Sequence, residues 1–190
     1  MPVRSLEKLK QYFIAIVPPP PIFHEAFELK KFFKDHYNSK ASLNSPPHIT
    51  LHMPFQWKED REKELIECLR NFSKTVSPVI IELHNFSSFP PRVIFIDVKK
   101  NEPLERLQRE LQRLCKRELN LFNADYKDLP FHPHLTLAFR DLKKPNYLSA
   151  WEKFSTKEYH AEFLADALVL LKHNGKEWQM HASCQFTEAS

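Results

Sequence analysis

Hydrophobic positions along the first half of the chain change between strand-like and helix-like spacing. Apolar residues at every second position predict strands, whereas apolar residues three and four apart predict helices. The predicted elements are a strand at 12–17, a helix at 21–37, a strand at 48–55, a helix at 60–76 and a strand at 79–81. This half therefore has the order β-α-β-α-β.

The same order returns in the second half, after Pro90 and Pro91. Asn101 is placed to cap a helix, and Asn174 with Gly175 predicts a hairpin turn, because glycine readily adopts the positive φ that such a turn needs. The predicted elements are a strand at 93–98, a helix after Asn101, a strand at 131–139, a helix at 147–154, and strands at 167–171 and 178–186. We expect a single domain, 1–190, with similar lobes near 1–90 and 91–190, between which strands can be exchanged.

One five-residue motif occurs in a predicted strand of each half, as PHITL at 47–51 and as PHLTL at 133–137. Successive side chains of a strand point to opposite faces, so the histidine and the threonine of each copy share the polar face, roughly 7 Å apart at Cα. Both can donate hydrogen bonds to the oxygens of one anion. The candidate catalytic residues are His48, Thr50, His134 and Thr136.

Two imidazoles that flank one phosphorus atom can divide acid and base catalysis between them. A neutral histidine deprotonates the attacking hydroxyl or water, and a protonated one supplies a proton to the leaving oxygen. The threonine hydroxyls can stabilise charge on the remaining phosphate oxygens. This chemistry needs neither a metal nor a cofactor, and we expect none. Because Gly175 is the only glycine, the chain has no glycine-rich loop for a phosphate or a dinucleotide.

The two motifs resemble those of the 2H phosphoesterases, whose name refers to paired H-x-[ST] sequences. The resemblance is to the branch of 2'-5' RNA ligases and RNA 2',3'-cyclic phosphodiesterases, and FHPHLTLA at 131–138 is especially similar to its second motif. It implies a bilobal α+β fold with duplicated β-α-β-α-β units, whose antiparallel sheets form a concave central groove. It also implies metal-independent opening of cyclic phosphates by the four motif residues. MPFQW at 53–57 departs from the leucine-glycine pair that often follows the first motif in this branch.

Five further residues are candidates for substrate binding, each with an ordinary structural alternative. His52 and His132 share the histidine face of the two strands and are expected at the rim of the groove. Trp57 could stack on a nucleobase or, as a more common role, cover the start of a helix. Arg140 and Arg92 could contact phosphate or ribose, or could end in solvent.

Two alternatives use the same residues differently. The spacing of His132 and His134 also occurs in zinc sites built on strands, which would make the protein a zinc-dependent hydrolase. Against zinc, neither motif strand contains an aspartate or glutamate, and a metal would leave the threonines without a chemical role. The second alternative is a binding module that holds RNA ends or nucleotides without turnover.

Composition bears on the setting of this chemistry. The formal net charge of +4 mildly favours an anionic partner, although an ordinary basic surface has the same charge. The apolar run near the amino terminus is too short for a signal peptide or a membrane span. Cys68, Cys115 and Cys184 lie far apart, so they form no CxxC metal or redox pair, and their odd number does not suit disulfide pairing. We therefore expect a cytoplasmic protein that acts on RNA ends or nucleotides bearing a cyclic phosphate, without a membrane or an obligatory protein partner.

Overall fold

Strands and helices alternate through the computed structural model, which describes residues 8–122 and 129–187, so both outer limits of the predicted domain lie outside the described residues. The strands are β1 Leu9–Ile16, β2 Ile49–Lys58, β3 Val79–Phe89, β4 Val93–Val98, β5 His134–Ala138, β6 His160–Ala165, β7 Ala167–His173 and β8 Trp178–Gln185. The helices are α1 Ile22–Tyr37, α2 Glu62–Ser73, α3 Glu102–Glu118 and α4 Lys144–Phe154. Short 3-10 turns at Ala41–Asn44 and Glu59–Arg61 precede β2 and α2, respectively.

The strands form one antiparallel sheet in the order β6-β3-β4-β5-β2-β1-β7-β8. The two motif strands, β2 and β5, are neighbours at its centre. β3 comes from the first half of the chain but pairs with β4 and β6, whereas β7 and β8 of the second half extend the sheet beside β1. The halves 1–90 and 91–190 thus exchange strands, and their division into lobes stays a prediction.

The expected α+β fold with antiparallel strands and a concave groove is confirmed. Asn101 caps α3, because its side chain accepts a hydrogen bond from the main-chain N–H of Leu104. Gly175 has a φ of +102° in the turn between β7 and β8. β5 is shorter than 131–139, since Pro133 has no N–H to donate to a strand ladder.

One strand was missed by the sequence analysis. β6 at His160–Ala165 pairs with β3 along its whole length, at the edge of the sheet. Ala161, Phe163 and Ala165 occupy every second position, as a strand with one buried face requires. The run is short, and the exposed Leu164 interrupts the alternation of apolar and polar residues.

Helices cover one face of the sheet and leave the other as the groove. α1 buries a stripe at helical spacing made of Ile22, Ala26, Lys30, Phe33 and Tyr37. On the same side, β2 and β5 contribute the fully buried Ile49 and Leu135. Because side chains alternate along a strand, the motif histidines and threonines face the groove. None of the helices within the described ranges is long and apolar enough to span a membrane.

Candidate active site

The two motifs meet where β2 pairs with β5. In this antiparallel junction Ile49 pairs with Leu135 on the helix side of the sheet. The residues next to this pair point to the groove side. There His48 lies opposite Thr136, and Thr50 lies opposite His134. Opposed side chains have Cβ atoms about 5 Å apart, and the two histidines, as diagonal neighbours, are roughly 7–8 Å apart. A phosphate group fits between them.

Both histidines are oriented by the same main-chain contact. His48 Nδ1 is 2.7 Å from the carbonyl oxygen of Pro46, and His134 Nδ1 is 2.7 Å from that of His132. Because a carbonyl only accepts hydrogen bonds, each Nδ1 carries the hydrogen in the neutral ring and donates it. Nε2 is then the atom that can take a proton, or give one after the ring has been protonated.

A threonine follows each histidine at the second position along the strand. Thr50 and Thr136 are half-buried, and neither hydroxyl forms a hydrogen bond with another described residue. Both hydroxyls can therefore donate to the oxygens of a ligand. We refer to His48 and Thr50 as the first half-site, and to His134 and Thr136 as the second half-site.

Burial lowers the pKa of both histidines, because a partly apolar environment disfavours the charged ring. For His48, the charge of Lys30 lowers the pKa further. For His134, the main-chain hydrogen bond and the charge of Asp97 oppose the effect of burial. Both imidazoles are consequently neutral at pH 7 in the ligand-free protein, and an anion bound between them would favour protonation of one.

Phenylalanine side chains form the apolar surroundings of the imidazoles. The ring centroid of Phe13 in β1 lies 4.7 Å from that of His48, and the centroid of Phe95 in β4 lies 4.8 Å from that of His134. Phe89, at the end of β3, contacts His134 edge-on at 5.3 Å. These contacts restrict the imidazole rings and remove them partly from water.

The segment that precedes His48 is tied to the strand that carries the second half-site. Asp141, just beyond β5, accepts three hydrogen bonds from residues 39–41 at 2.9 to 3.0 Å. Ser42 Oγ donates to the carbonyl oxygen of Leu137 in β5 at 2.6 Å. These contacts link the two half-sites outside the sheet ladder itself.

Two of the predicted substrate-binding residues lie beside the second half-site. His132 Nε2 is 3.1 Å from Asp97 Oδ1, and its ring centroid is 6.0 Å from that of His134. Arg92 belongs to the turn between β3 and β4, close to Phe89, which contacts both His132 and His134. Both residues border the groove, and their contact with a substrate stays a prediction.

His52 does not lie at the rim, and this prediction is wrong. Its side chain is fully buried, its ring packs edge-on against Phe55, and its Nδ1 is 2.8 Å from the carbonyl oxygen of Met53. The register between β1 and β2 shifts twice around this position. Such bulges interrupt the alternation of side chains, and here they turn His52 towards the core.

Trp57 is also remote from the half-sites. It lies near the far end of β2, nine residues from His48, which corresponds to roughly 25–30 Å in an extended strand. Its Nε1 donates to the carbonyl oxygen of Arg61 at 2.9 Å, and the Arg61 guanidinium lies over its ring. Trp57 therefore covers the start of α2, as the structural alternative for this residue expects, and its contact with a substrate stays a prediction.

Strand alternation does not place Arg140 on the same face of the sheet as His134. β5 ends at Ala138, and Arg140 adopts a positive φ of 59° beyond it. Its guanidinium lies over the ring of Phe139, 5.0 Å from the centroid. The expectation that Arg140 shares the strand face of His134 is therefore wrong. Contact of Arg140 with a substrate stays a prediction.

Sequence reasoning missed four residues that surround the half-sites. Lys30 could have been found, because it falls on the apolar stripe of α1 at helical spacing. Asp97 is the only charged residue in the apolar strand β4. Phe13 and Phe95 carry no such signal, since an apolar residue in an apolar strand indicates only a core position.

Comparison with known proteins assigns the chain to a family. The family model of the 2'-5' RNA ligase superfamily matches residues 18–177. The chain belongs to this superfamily. The resemblance to 2H phosphoesterases drawn from the two motifs is thereby confirmed.

Individual proteins and solved structures are also similar to this chain over most of its length. A protein of Geobacillus kaustophilus that bears the name "Putative phosphoesterase" is 33% identical over 163 residues, covering 85% of this chain and 87% of that protein. The crystal structure of TT0787 from Thermus thermophilus has a TM-score of 0.69 at 18% identity, covering 95% of this chain and 100% of the other. LigT of E. coli, in complex with 3'-AMP, has a TM-score of 0.65 at 16% identity, with coverages of 95% and 100%. The solved structures share the fold, with its concave groove.

Proposed function

We propose that the protein is a metal-independent phosphodiesterase that acts on 2',3'-cyclic phosphates or 2'-5' phosphodiesters of RNA or nucleotides. The observation that carries this proposal is the cross-strand placement of two equivalent histidine-threonine pairs at the junction of β2 and β5. Each histidine is fixed through Nδ1, and each threonine hydroxyl is available to a ligand.

The proposed reaction uses one imidazole as base and the other as acid. Water attacks phosphorus in line with the leaving oxygen and gives a proton to the neutral Nε2 of one histidine. The bond from phosphorus to the leaving ribose oxygen breaks, and Nε2–H of the other, protonated histidine supplies its proton. Thr50 and Thr136 donate hydrogen bonds to the non-bridging oxygens, where negative charge develops. If a ribose hydroxyl replaces water, the same steps join two RNA ends.

The choice of substrate class rests on family and composition. Superfamily membership favours a cyclic phosphate or a 2'-5' linkage, with a 2'-phosphate as the expected product of opening a cyclic phosphate. The fold neighbour LigT has been crystallised with 3'-AMP, which supports a nucleotide ligand for this groove. A net charge of +4 adds long-range attraction for such an anion. The proposed location is the cytoplasm, because all three cysteines are free thiols.

The test incubates the purified protein with a 2',3'-cyclic nucleotide and, separately, with a 2'-5'-linked dinucleotide, each in excess chelator. We expect product from at least one substrate, identified by chromatography against 2'- and 3'-phosphate standards. Conversion should be lost in His48→Ala and in His134→Ala. His24→Ala is a matched control, because His24 is an exposed histidine of α1 outside the groove.

Two outcomes would replace the proposal by an alternative. Tight binding of the cyclic nucleotide without product after long incubation would indicate a binding module. Activity that disappears with chelator and returns with zinc would indicate a zinc-dependent hydrolase. In residues 8–122 and 129–187, no group of three or more histidine, cysteine, aspartate or glutamate side chains is arranged to hold a metal ion.

A further inference from the structure

Lys30 places a buried positive charge next to the first half-site. It lies in α1, and its side chain is 1% exposed. Its Nζ donates to the carbonyl oxygens of Ser42 and Ser45, each at 3.0 Å. Within the described part of the chain, no carboxylate forms an ion pair with it. A buried ammonium group without a counter-charge is costly, and the two hydrogen bonds to carbonyl oxygens offset part of that cost.

The carbonyl groups that Lys30 holds belong to the segment that orients His48. Ser45 is followed directly by Pro46, whose carbonyl accepts the hydrogen bond from His48 Nδ1. Because Lys30 Nζ bonds to both Ser42 and Ser45, it fixes this segment on the side of α1. A change at Lys30 would therefore reach His48 through a short, continuous stretch of main chain.

The charged and titratable groups around the two histidines differ in sign. Among the described residues, those that act on His48 are Lys30 and His134, and those that act on His134 are His132 and Asp97. A nearby cation opposes protonation of an imidazole, whereas a nearby carboxylate favours it. Burial lowers the pKa of Lys30 to about 7, so its ammonium group is charged through the acidic range in which a histidine gains its proton.

We propose that Lys30 is a positioning residue that sets the direction of proton transfer, so that His48 accepts the proton and His134, beside Asp97, donates it. This inference rests on the proposed function and adds the assignment of acid and base. The proton of the attacking water passes to His48 Nε2, and the proton on His134 Nε2 passes to the leaving oxygen. Exchange with solvent then restores both rings.

The first test is an NMR titration of the histidine rings in the ligand-free protein, which does not depend on turnover. In the wild type, we expect His48 to titrate at a lower pH than His134. In Lys30→Met, which keeps a long side chain but removes the charge, the midpoint of His48 should rise by about one pH unit. The midpoint of His134 should move much less.

Matched variants separate charge from packing. Lys31→Met is the control, because Lys31 is exposed and pairs with Glu28, and it should leave both midpoints unchanged. Lys30→Arg retains a cation and should keep His48 titrating below His134. A wild-type His48 midpoint at or above that of His134 overturns the proposal even if Lys30→Met does not fold. An unmoved His48 midpoint in a folded Lys30→Met protein does the same.

The second test uses a nucleotide phosphodiester with a 4-nitrophenolate leaving group, which departs without a proton. His134→Ala should retain most of the wild-type rate on this substrate while losing it on the cyclic nucleotide. His48→Ala should lose the rate on both substrates. Retention by His48→Ala instead of His134→Ala would reverse the assignment. If the wild type turns over neither substrate, the proposed function fails, whereas the titration still decides the role of Lys30.

Discussion

The first and second half-sites share their internal geometry and differ in what surrounds them. Both histidines donate from Nδ1 to the carbonyl oxygen two residues earlier, at the same distance of 2.7 Å, and both pack against a phenylalanine from the adjacent strand. The first half-site has the buried ammonium group of Lys30 nearby, whereas the second has the carboxylate of Asp97.

The contrast between Lys30 and Asp97 shows that the motif supplies the acid-base groups, whereas residues around the motif supply the charges that act on them. The repeated H-x-T sequence provides two equivalent acid-base groups on one groove. Acid-base catalysis requires one ring to be neutral while the other is protonated, and two equivalent groups do not by themselves fix which ring takes which role. Lys30 and Asp97, which lie outside both motifs, provide that asymmetry.

The largest expected effect comes from removing either imidazole. His48→Ala and His134→Ala should each lower kcat/KM for the cyclic nucleotide by about 10²- to 10⁴-fold, the usual contribution of a general acid or base. Steady-state kinetics on both variants checks this, with His24→Ala as the control. A large loss in one variant and a small loss in the other would show that the half-sites are not both catalytic.

Removing a threonine hydroxyl should have the next largest effect. Thr50→Val and Thr136→Val keep the side-chain shape and should each lower kcat by about 10²-fold, because each removes one donor to the charged phosphate. Thr156→Val is the control, because Thr156 is an exposed residue just beyond the end of α4. A rise in KM with kcat unchanged would instead assign the hydroxyls to ground-state binding.

Removing the carboxylate beyond β5 should destabilise the link between the half-sites. Asp141→Ala deletes the acceptor of three hydrogen bonds and should lower the free energy of unfolding by about 2 kcal/mol. Urea denaturation measures this loss. Asp35→Ala, which removes an exposed ion pair with Lys34, should change stability far less. Equal losses in the two variants would contradict a specific role for Asp141.

The pH dependence of kcat/KM tests whether both histidines have a lowered pKa. Both have a pKa below the ordinary 6.5, so above that pH the fraction of molecules with one protonated ring declines about tenfold per unit. We expect kcat/KM to fall by about tenfold per pH unit between pH 7 and pH 8.5, with its maximum below pH 6.5. A plateau through this range would mean that one ring keeps its proton in the free protein.

The smallest expected effect is confined to the second half-site. Asp97→Asn removes the charge that favours protonation of His134 and should lower kcat/KM at pH 7 by about three- to tenfold. The His134 midpoint in an NMR titration should fall, while that of His48 stays. Glu82→Gln, on the neighbouring strand and paired with Lys99, is the control. A shift of the His48 midpoint instead would remove the proposed asymmetry.

Most of the architecture could be predicted from spacing alone. Helical and period-two patterns indicated the four helices and most of the strands that lie within residues 8–122 and 129–187, because burial of one face imposes that periodicity. His52 shows where the rule fails. Its place in an alternating run predicted a groove position, but two register shifts between β1 and β2 turn it inward, and a bulge has no reliable signature in one strand's sequence.

The amino-acid sequence by itself determined which residues carry the chemistry, since the repeated histidine-threonine pairs are local features of two strands. Only the tertiary structure decided that the strands are neighbours, with His48 opposite Thr136. It also decided which charges act on each ring, because Lys30 comes from a helix and Asp97 from another strand. Electrostatic interactions depend on separation in space and on burial, and neither quantity can be read from distance along the chain.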